Sequence, residues 1–427
     1  MKISTSTLIR CSALLAVFYF YFYAHIVAVF GGKYCYPVLF TCIGLSIVGM
    51  LLRKQKKVDL IVLLWILILC LSLITNRGLQ AKAWLWPVTF SMLVILLLPL
   101  SIDDRWIKNV MKMLMVGSLI YCIATIVLYV APGLYSGFRQ YWGYYPNGTE
   151  RGMFGYRAGI ADNHSANGIY CVIAFLIMSA NYIVEQQKKK KKKFLIVGII
   201  SLLAVLLTTK RAHLLFGVFS VLVCYYFSQN RGKVGRGFKI CFVSVVALIL
   251  FYLMADFVPA ISDFMEGFEG QDDISNGRYV FWEIAWNYFK SNPLFGIGWL
   301  GFRYSTRGIF SSSGYVDVHN VYIQLLAETG IFGTGIMLSI FIATLVNTIQ
   351  MLNVYGAKPE SDERMILCVS LGMQVFCLIY GVTGNFLYDR ACFIYIFACA
   401  MSYSIKHLTA KKPKRESEND KLYCPDL

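Results

Sequence analysis

Charged side chains are scarce in this sequence. Only 15% of its residues are Asp, Glu, Lys or Arg, whereas a soluble domain carries about 25%. Hydrophobic residues make up 58%, and the mean hydropathy is +0.60. So few charges cannot give a water-soluble fold its polar surface, and the composition therefore predicts an integral membrane protein.

The sequence also lacks the cysteine patterns of a disulfide framework or a thiolate metal site. Its 13 cysteines include no CxxC pair and form no cluster with histidine. Almost all of them lie inside apolar runs, where cysteine packs as a small apolar residue. We therefore expect neither a disulfide framework nor a metal bound through cysteine.

Apolar runs long enough to cross a bilayer recur along the whole chain, and a spanning helix needs roughly 20 apolar residues, with about 17 as the lower range. We predict an all-α, polytopic transmembrane bundle of about twelve spans. Between two of them only Lys210 and Arg211 intervene, and we expect a tight hairpin, because one unbroken helix could not bury both charges cheaply. The predicted spans are Leu8–Phe30, Tyr34–Leu52, Val58–Thr75, Ala83–Leu100, Val110–Ala131, Ala166–Val184, Phe194–Thr209, Ala212–Phe227, Ile240–Val258, Val321–Leu352, Met365–Val382 and Ala391–Ile405.

The distribution of basic residues indicates how these spans are oriented, because loops rich in Lys and Arg stay in the cytoplasm. With a cytoplasmic start, the strongly basic segments Arg53–Lys57, Lys188–Lys193 and Arg231–Lys239 and the tail from Lys406 all fall on the cytoplasmic side. We therefore expect both termini in the cytoplasm. The lysine run is expected to be a solvated inner loop, and no nucleic-acid partner is predicted.

This orientation divides the chain into a transmembrane domain, residues 1–410, and a hydrophilic cytoplasmic tail, Lys411–Leu427, predicted to be disordered. Two long segments face outward: Pro132–Ser165 and Pro259–Asn320, the second being the largest polar segment. Loops carried by a rigid scaffold are where chemistry with an external substrate is expected.

Arginine is more common on the predicted outer side than the positive-inside tendency favours. The outer segments carry Arg139, Arg151, Arg157, Arg278, Arg303 and Arg307, and the outer hairpin carries Lys210 and Arg211. The planar fork of arginine suits phosphate, and several arginines together suit a diphosphate. Contacts with lipid headgroups or nearby carboxylates are the alternative for any single arginine, whereas the positions of Arg211 and Arg278 favour a functional role.

The residues from Asn276 to Pro293 predict an amphipathic helix at the membrane surface. Arg278 falls in its first turn, where free N–H groups and the helix dipole favour an anion. A simple interfacial helix with aromatic anchors is the alternative. Four aromatic residues at helical spacing form one face: Tyr279, Trp282, Trp286 and Phe289.

Only five histidines occur in the sequence, and His319 stands where an outer segment meets a predicted span. An imidazole near its free pKa can accept a proton from a sugar hydroxyl. A purely structural histidine is the alternative. His164 stands near the start of another predicted span and is a second candidate.

Taken together, these stretches resemble the O-antigen ligase and O-antigen polymerase superfamily of bacterial membrane glycosyltransferases. As an ordered set they are specific, whereas each piece alone is weak. One departure is Lys210, where the family often has a small polar residue. The matching stretches lie in the second half of the chain: Thr208–Ala212, Gly277-Arg278 with Trp282, Ser291–Gly298, His319-Asn320, and Leu325, Glu328 and Gly330–Gly333.

The resemblance implies a lipid-linked glycosyl transfer, without a metal or other cofactor, on the outer face of the bacterial plasma (inner) membrane. It implies that Arg211 and Arg278, with Lys210 beside them, bind undecaprenyl diphosphate, and that His319 is the base. The supporting candidates are Asn320, Glu328, Trp282 and His164. The implied partners are an undecaprenyl-diphosphate-linked glycan donor, a glycan acceptor, membrane lipids and, as candidates, other polysaccharide assembly proteins.

Three functions remain open at this stage. We favour a polymerase that joins O-antigen, capsular or exopolysaccharide repeat units. An O-antigen ligase that transfers the glycan to lipid A–core or another acceptor fits the same motifs. A polysaccharide flippase or other transporter fits less well, because transporters place charges or broken helices at the bilayer midplane, whereas the polar residues here cluster outside the predicted spans.

Overall fold

Helices dominate the structure, a computed structural model that describes residues 4–30, 35–52, 99–134, 155–228, 234–242, 277–306, 316–355, 361–389 and 391–422. These residues contain no β-strand, and the predicted all-α class is confirmed for them. Single 3-10 turns occupy Pro132–Leu134 and Gly155–Ala158. The α-helices are α1 (Thr5–Phe30), α2 (Cys35–Leu51), α3 (Ile107–Val130), α4 (His164–Val184), α5 (Lys188–Leu207), α6 (Arg211–Phe227), α7 (Arg278–Ser291), α8 (Gly301–Ser305), α9 (Val321–Tyr355), α10 (Asp362–Tyr380) and α11 (Cys392–Leu422).

Five of the described helices are long and apolar enough to cross a membrane: most of α1, and α3, α4, α9 and α10. The membrane character predicted from composition is confirmed by them, but the count of twelve spans is not. Three predicted spans, Val58–Thr75, Ala83–Leu100 and Ile240–Val258, lie wholly or mostly outside the described residues. Both long outer segments are described only in part, and Arg139, Arg151 and Arg307 lie outside the description.

The predicted hairpin at Lys210 and Arg211 is confirmed. Helix α5 ends at Leu207 and α6 begins at Arg211. Thr209 has a φ of 55°, in the left-handed region that few residues other than glycine adopt. The Thr208 hydroxyl donates to the carbonyl of Val205 at 2.7 Å and closes the end of α5. The turn therefore places two adjacent cations at one end of the helical bundle.

Helices α4 and α10 lie at the centre of the bundle. Helix α4 packs against α3, α5, α6 and α10, and α10 packs against α6, α9 and α11. Buried hydroxyls link the packed helices: the Tyr121 hydroxyl donates to the carbonyl of Tyr21 at 2.6 Å, and the Tyr170 hydroxyl donates to that of Phe20 at 2.9 Å. Such interhelical bonds in membranes contribute about 0.6 kcal/mol each on average.

Helix α9 changes direction at Gly330, which has φ 64° and ψ −167°. At this kink the Ile331 N–H donates to the carbonyl of Pro293 at 2.8 Å, and the Ile297 N–H donates to that of Ala327 at 3.0 Å. A Cβ atom on Gly330 would overlap the main chain of Leu294. Two of the stretches that carry the sequence resemblance therefore pack against each other, main chain to main chain.

The predicted division into residues 1–410 and a tail, Lys411–Leu427, stays a prediction. Helix α11 extends to Leu422 in the structure. The helix predicted between Asn276 and Pro293 is present as α7, which begins at Arg278 after Gly277, whose φ of 77° starts the helix. Helix α7 packs against α9. Its observed bounds lie within two residues of those that the sequence pattern predicts.

Candidate active site

Three segments that are distant in sequence meet at one end of the bundle. They are the α5–α6 turn with Lys210 and Arg211, the start of α7 with Arg278, and the segment before α9 with His319. Lys210 interacts electrostatically with both arginines, and His319 interacts with Arg278 and Lys210. We call Lys210, Arg211, Arg278 and His319 the cationic site. The structure thus brings together the residues that the sequence predicted as diphosphate-binding and basic.

Burial and mutual repulsion both disfavour the positive charges of the cationic site. Burial, and then the charges of Arg278 and Arg211, lower the pKa of Lys210 to about 8. Burial also lowers the pKa of Arg278, and Arg211 adds to that effect. Like charges held this close disfavour each other, and an anion between them relieves the repulsion. Several acceptor oxygens on such an anion could bind these cations through charge-assisted hydrogen bonds.

Arg278 is oriented by the turn that follows α10. Its Nη1 donates to the carbonyl oxygen of Thr383 at 3.1 Å. Arg278 is also the first residue of α7, where main-chain N–H groups have no partner inside the helix. One arm of the guanidinium is therefore held while the helix start adds donors that suit an anion.

His319 has a φ of 55°, so its backbone also lies in the left-handed region. Residues in such conformations store roughly 1–3 kcal/mol and persist only where their neighbours hold them. The Trp282 indole donates to the carbonyl of Val318 at 3.0 Å on one side. On the other side, the Asn320 side chain accepts from the N–H groups of Tyr322 and Ile323 at 3.0 and 3.1 Å and caps α9. Two of the supporting candidates therefore hold the histidine segment.

The charge state of His319 suits a base. Burial lowers its pKa, Arg278 lowers it further, and Asp317 acts in the opposite direction. An imidazole whose pKa is lowered from its ordinary value near 6.5 is mostly neutral at pH 7, so its ring can accept a proton.

Glu328 does not face the cationic site. It is fully buried, and its carboxylate accepts from the N–H groups of Leu300 at 2.8 Å and Phe302 at 3.3 Å, at the start of α8. The Gln324 amide donates to it at 3.1 Å and also accepts from the Val318 N–H at 3.3 Å. Glu328 therefore connects α8 to the segment that carries His319.

His164 is the first residue of α4 and interacts electrostatically with Lys210 and Arg157. The Asn163 side chain before it caps the helix by accepting from the Ala166 N–H at 2.7 Å. His164 thus lies near the α5–α6 turn, at the edge of the cationic site.

Residues 196–338 match the family model described as O-antigen ligase. This match supports a relationship of the chain to the O-antigen ligase and polymerase superfamily. The resemblance predicted from the sequence is confirmed by this match, which includes all four residues of the cationic site. No curated protein matches the chain. The superfamily points to an enzyme of the glycosyltransferase type in a membrane.

Two structural features near the cationic site were not predicted from the sequence. The first is the end of α10, where the carbonyl of Gly381 accepts from the Val321 N–H at 2.7 Å and that of Thr383 accepts from Arg278. Main-chain carbonyls occur at every position, so no residue pattern could have indicated them. The second is Asp317, which pairs with Arg303.

His213 was also missed, because it lies inside an apolar run. It is 1% exposed, and its ring packs against Tyr380 with 4.9 Å between ring centroids. Neither ring nitrogen has a hydrogen-bond partner within the described part of the chain. Gly168 makes room for it, since a Cβ atom there would overlap the His213 ring. His213 thus packs the helix that begins with Arg211 against α4 and α10.

Proposed function

We propose that this protein transfers a glycan from undecaprenyl diphosphate to a sugar hydroxyl on the outer face of the bacterial plasma membrane, and that it polymerises O-antigen, capsular or exopolysaccharide repeat units. The observation that carries the proposal is the convergence of Lys210, Arg211 and Arg278 with His319. The superfamily match supports transfer of this type.

In the proposed reaction, the acceptor hydroxyl oxygen attacks the anomeric carbon of the donor glycan and forms the new glycosidic bond. The bond between that carbon and the diphosphate oxygen breaks, and its electron pair leaves with the diphosphate. The hydroxyl proton passes to the neutral ring of His319. Lys210, Arg211 and Arg278 bind the charge that develops on the leaving group.

Metal independence belongs to the proposal as well. A diphosphate is a good leaving group, and three cations can neutralise its charge. Removal of divalent cations by a chelator is expected to leave the transfer rate unchanged.

The amphipathic helix α7 supports a site at the membrane surface. Tyr279 and Trp286 on this helix are 59% and 47% exposed, as expected for side chains that contact lipid at the headgroup level. The donor's diphosphate would lie at the same level, beside Arg278 at the helix start. The positive-inside pattern supports the outer face of the membrane for this end of the bundle.

A ligase that transfers the finished glycan to lipid A–core or another acceptor is the second candidate, because the superfamily match is described as O-antigen ligase. A transporter is less favoured, because Lys210, Arg211 and Arg278 lie at helix ends rather than in the middle of spans.

A gene deletion separates polymerase from ligase. Surface glycan from the deleted strain is resolved on a gel. A polymerase is indicated if long chains are lost while single repeats remain attached. A ligase is indicated if polymer accumulates on its lipid carrier and does not reach the acceptor.

The substitution Arg278→Lys tests the diphosphate assignment in the same strain. Lysine keeps the charge but loses the planar fork, so donor use is expected to fall. Arg105→Lys is the matched control, because Arg105 is exposed just before α3, at the opposite end of the bundle. If Arg278→Lys, expressed at normal levels, restored full activity, Arg278 would not bind the diphosphate through its fork.

A further inference from the structure

A bidentate ion pair lies directly beside the segment that carries His319. The Arg303 Nε donates to Asp317 Oδ1 at 3.0 Å, and Arg303 Nη2 donates to Asp317 Oδ2. The side chains are only 26% and 17% exposed. A two-bonded arginine–carboxylate pair that is mostly shielded from water fixes geometry as well as charge. Asp317 therefore has one defined orientation.

The short helix that carries Arg303 is held in place by Glu328. Helix α8 begins where the Glu328 carboxylate accepts from the N–H groups of Leu300 and Phe302, and Arg303 is the next residue. Leu300 has a φ of 66°, so the chain turns sharply onto α8. Arg303 also interacts electrostatically with Glu328 and Asp389. The position of the guanidinium thus follows from the packing of α8 against α9.

Asp317 is two residues before His319, and the residue between them is anchored on both sides. The Val318 carbonyl accepts from Trp282, and the Val318 N–H donates to Gln324. Val318 is fully buried. Displacement of Asp317 would consequently be transmitted to His319, whose left-handed backbone depends on its neighbours.

The charges that face His319 come from four segments. Arg278 on α7, Lys210 in the α5–α6 turn and Arg303 on α8 are cations, and Asp317 on the histidine's own segment is a carboxylate. The three cations disfavour a proton on the imidazole, and Asp317 favours it. Removal of Asp317 therefore disfavours a proton on the imidazole, whereas removal of Arg303 favours it.

We propose that Asp317, held by Arg303, is a positioning residue for His319: it fixes the segment that carries the imidazole and offsets the cations that bind the donor diphosphate. Because it concerns the base of the transfer reaction, this role rests on the proposed function. It explains why a mostly buried ion pair lies next to a site that otherwise concentrates positive charge.

The test is the pH dependence of kcat/KM for the full-length protein in phospholipid vesicles, with a lipid-diphosphate glycan as donor. The acid limb of that profile reports protonation of His319 in the free enzyme. Asp317→Asn is expected to move the acid limb to lower pH by about one unit. Arg303→Gln leaves Asp317 unpaired and is expected to move the acid limb to higher pH.

Two further variants separate charge from geometry. Arg303→Lys keeps the charge and loses the fork, so the acid limb should stay in place while kcat falls. The double variant Asp317→Asn/Arg303→Gln restores the net charge and should return the acid limb close to that of the natural protein. A purely structural pair would lower activity in each variant without moving the limb in opposite directions.

Lys108→Gln is the matched control, because it breaks the ion pair of Lys108 with Asp362, 2.5 Å long, at the opposite end of the bundle. It should leave the profile unchanged. The role of Asp317 is refuted if Asp317→Asn and Arg303→Gln shift the acid limb in the same direction or not at all. If Asp317→Asn does not accumulate, Arg303→Gln and Arg303→Lys decide the question through the presence or absence of their expected shift.

The same measurements keep this role distinct from the proposed function. The proposed function fails if the natural protein transfers no glycan or if His319→Gln keeps the activity of the natural protein. If transfer occurs and depends on His319, but the two single variants leave the acid limb in place, only the role of Asp317 and Arg303 is wrong.

Discussion

Replacing Lys210 with arginine keeps a positive charge at this position but prevents the loss of that charge at alkaline pH. The pKa of Lys210 is lowered to about 8 by burial and by the neighbouring charges of Arg278 and Arg211. In the empty site, Lys210 therefore loses its charge just above neutral pH. Arginine at this position would keep its charge throughout the accessible range. Lys210→Arg is consequently expected to remove an alkaline limit on donor binding.

The size of the effect follows from the titration. Between about pH 7 and about pH 9, the protonated share of a lysine with this pKa falls from about nine tenths to about one tenth. If the charged form binds the diphosphate, kcat/KM falls about tenfold over that range. In the complex, the diphosphate raises the pKa of Lys210, so the alkaline limb of kcat lies at higher pH than that of kcat/KM.

The assay measures initial rates of glycan transfer in vesicles, at donor concentrations below and above KM. Lys210→Arg should hold kcat/KM constant up to about pH 9, beyond the limb of the natural protein. Lys290→Arg is the control, because Lys290 is exposed in the last turn of α7, away from the cationic site. If Lys210→Arg kept the alkaline limb near pH 8, the proton of Lys210 would not govern donor binding, and the reasoning would be wrong.

Two other predictions concern the base and the membrane orientation. His319→Gln keeps the size and some hydrogen bonding of histidine but cannot accept a proton at neutral pH, so transfer should fall about 10²–10⁴-fold while donor binding is retained; an active variant would remove His319 from the chemistry. A reporter fused after Asn287 should be external and one fused after Lys190 cytoplasmic, because of the distribution of basic residues; a cytoplasmic reporter at Asn287 would overturn the outer-face reaction.

Features that depend on a short stretch of chain could be predicted from the sequence. The apolar runs indicated membrane spans because the bilayer sets the length of a helix within it. Two adjacent cations between apolar runs indicated the turn between α5 and α6, because burying both charges in one helix is unfavourable. Aromatic spacing indicated α7 to within two residues of its bounds. Each of these results needs only local composition and periodicity.

The arrangement of the candidate site was decided by tertiary structure. The motif order predicted Arg211, Arg278 and His319 as a set, but their convergence depends on how the α5–α6 turn, α7 and α9 pack. Glu328 shows the difference. In sequence it was a candidate near the histidine, and in the structure its carboxylate is bound to the start of α8.

The partners of Arg278 and His319 show why the sequence alone could not predict the contacts within the site. Arg278 donates to the main-chain carbonyl of Thr383, and Asp317 owes its orientation to Arg303 on a separate short helix. Every residue has a main-chain carbonyl, so residue type does not indicate which carbonyl accepts a hydrogen bond. A pairing between two charged residues depends on the distance that the fold sets between them. Sequence determined the membrane character and all-α class of the chain and which residues carry charge, whereas packing decided which charges meet, because electrostatic energy depends on separation and burial.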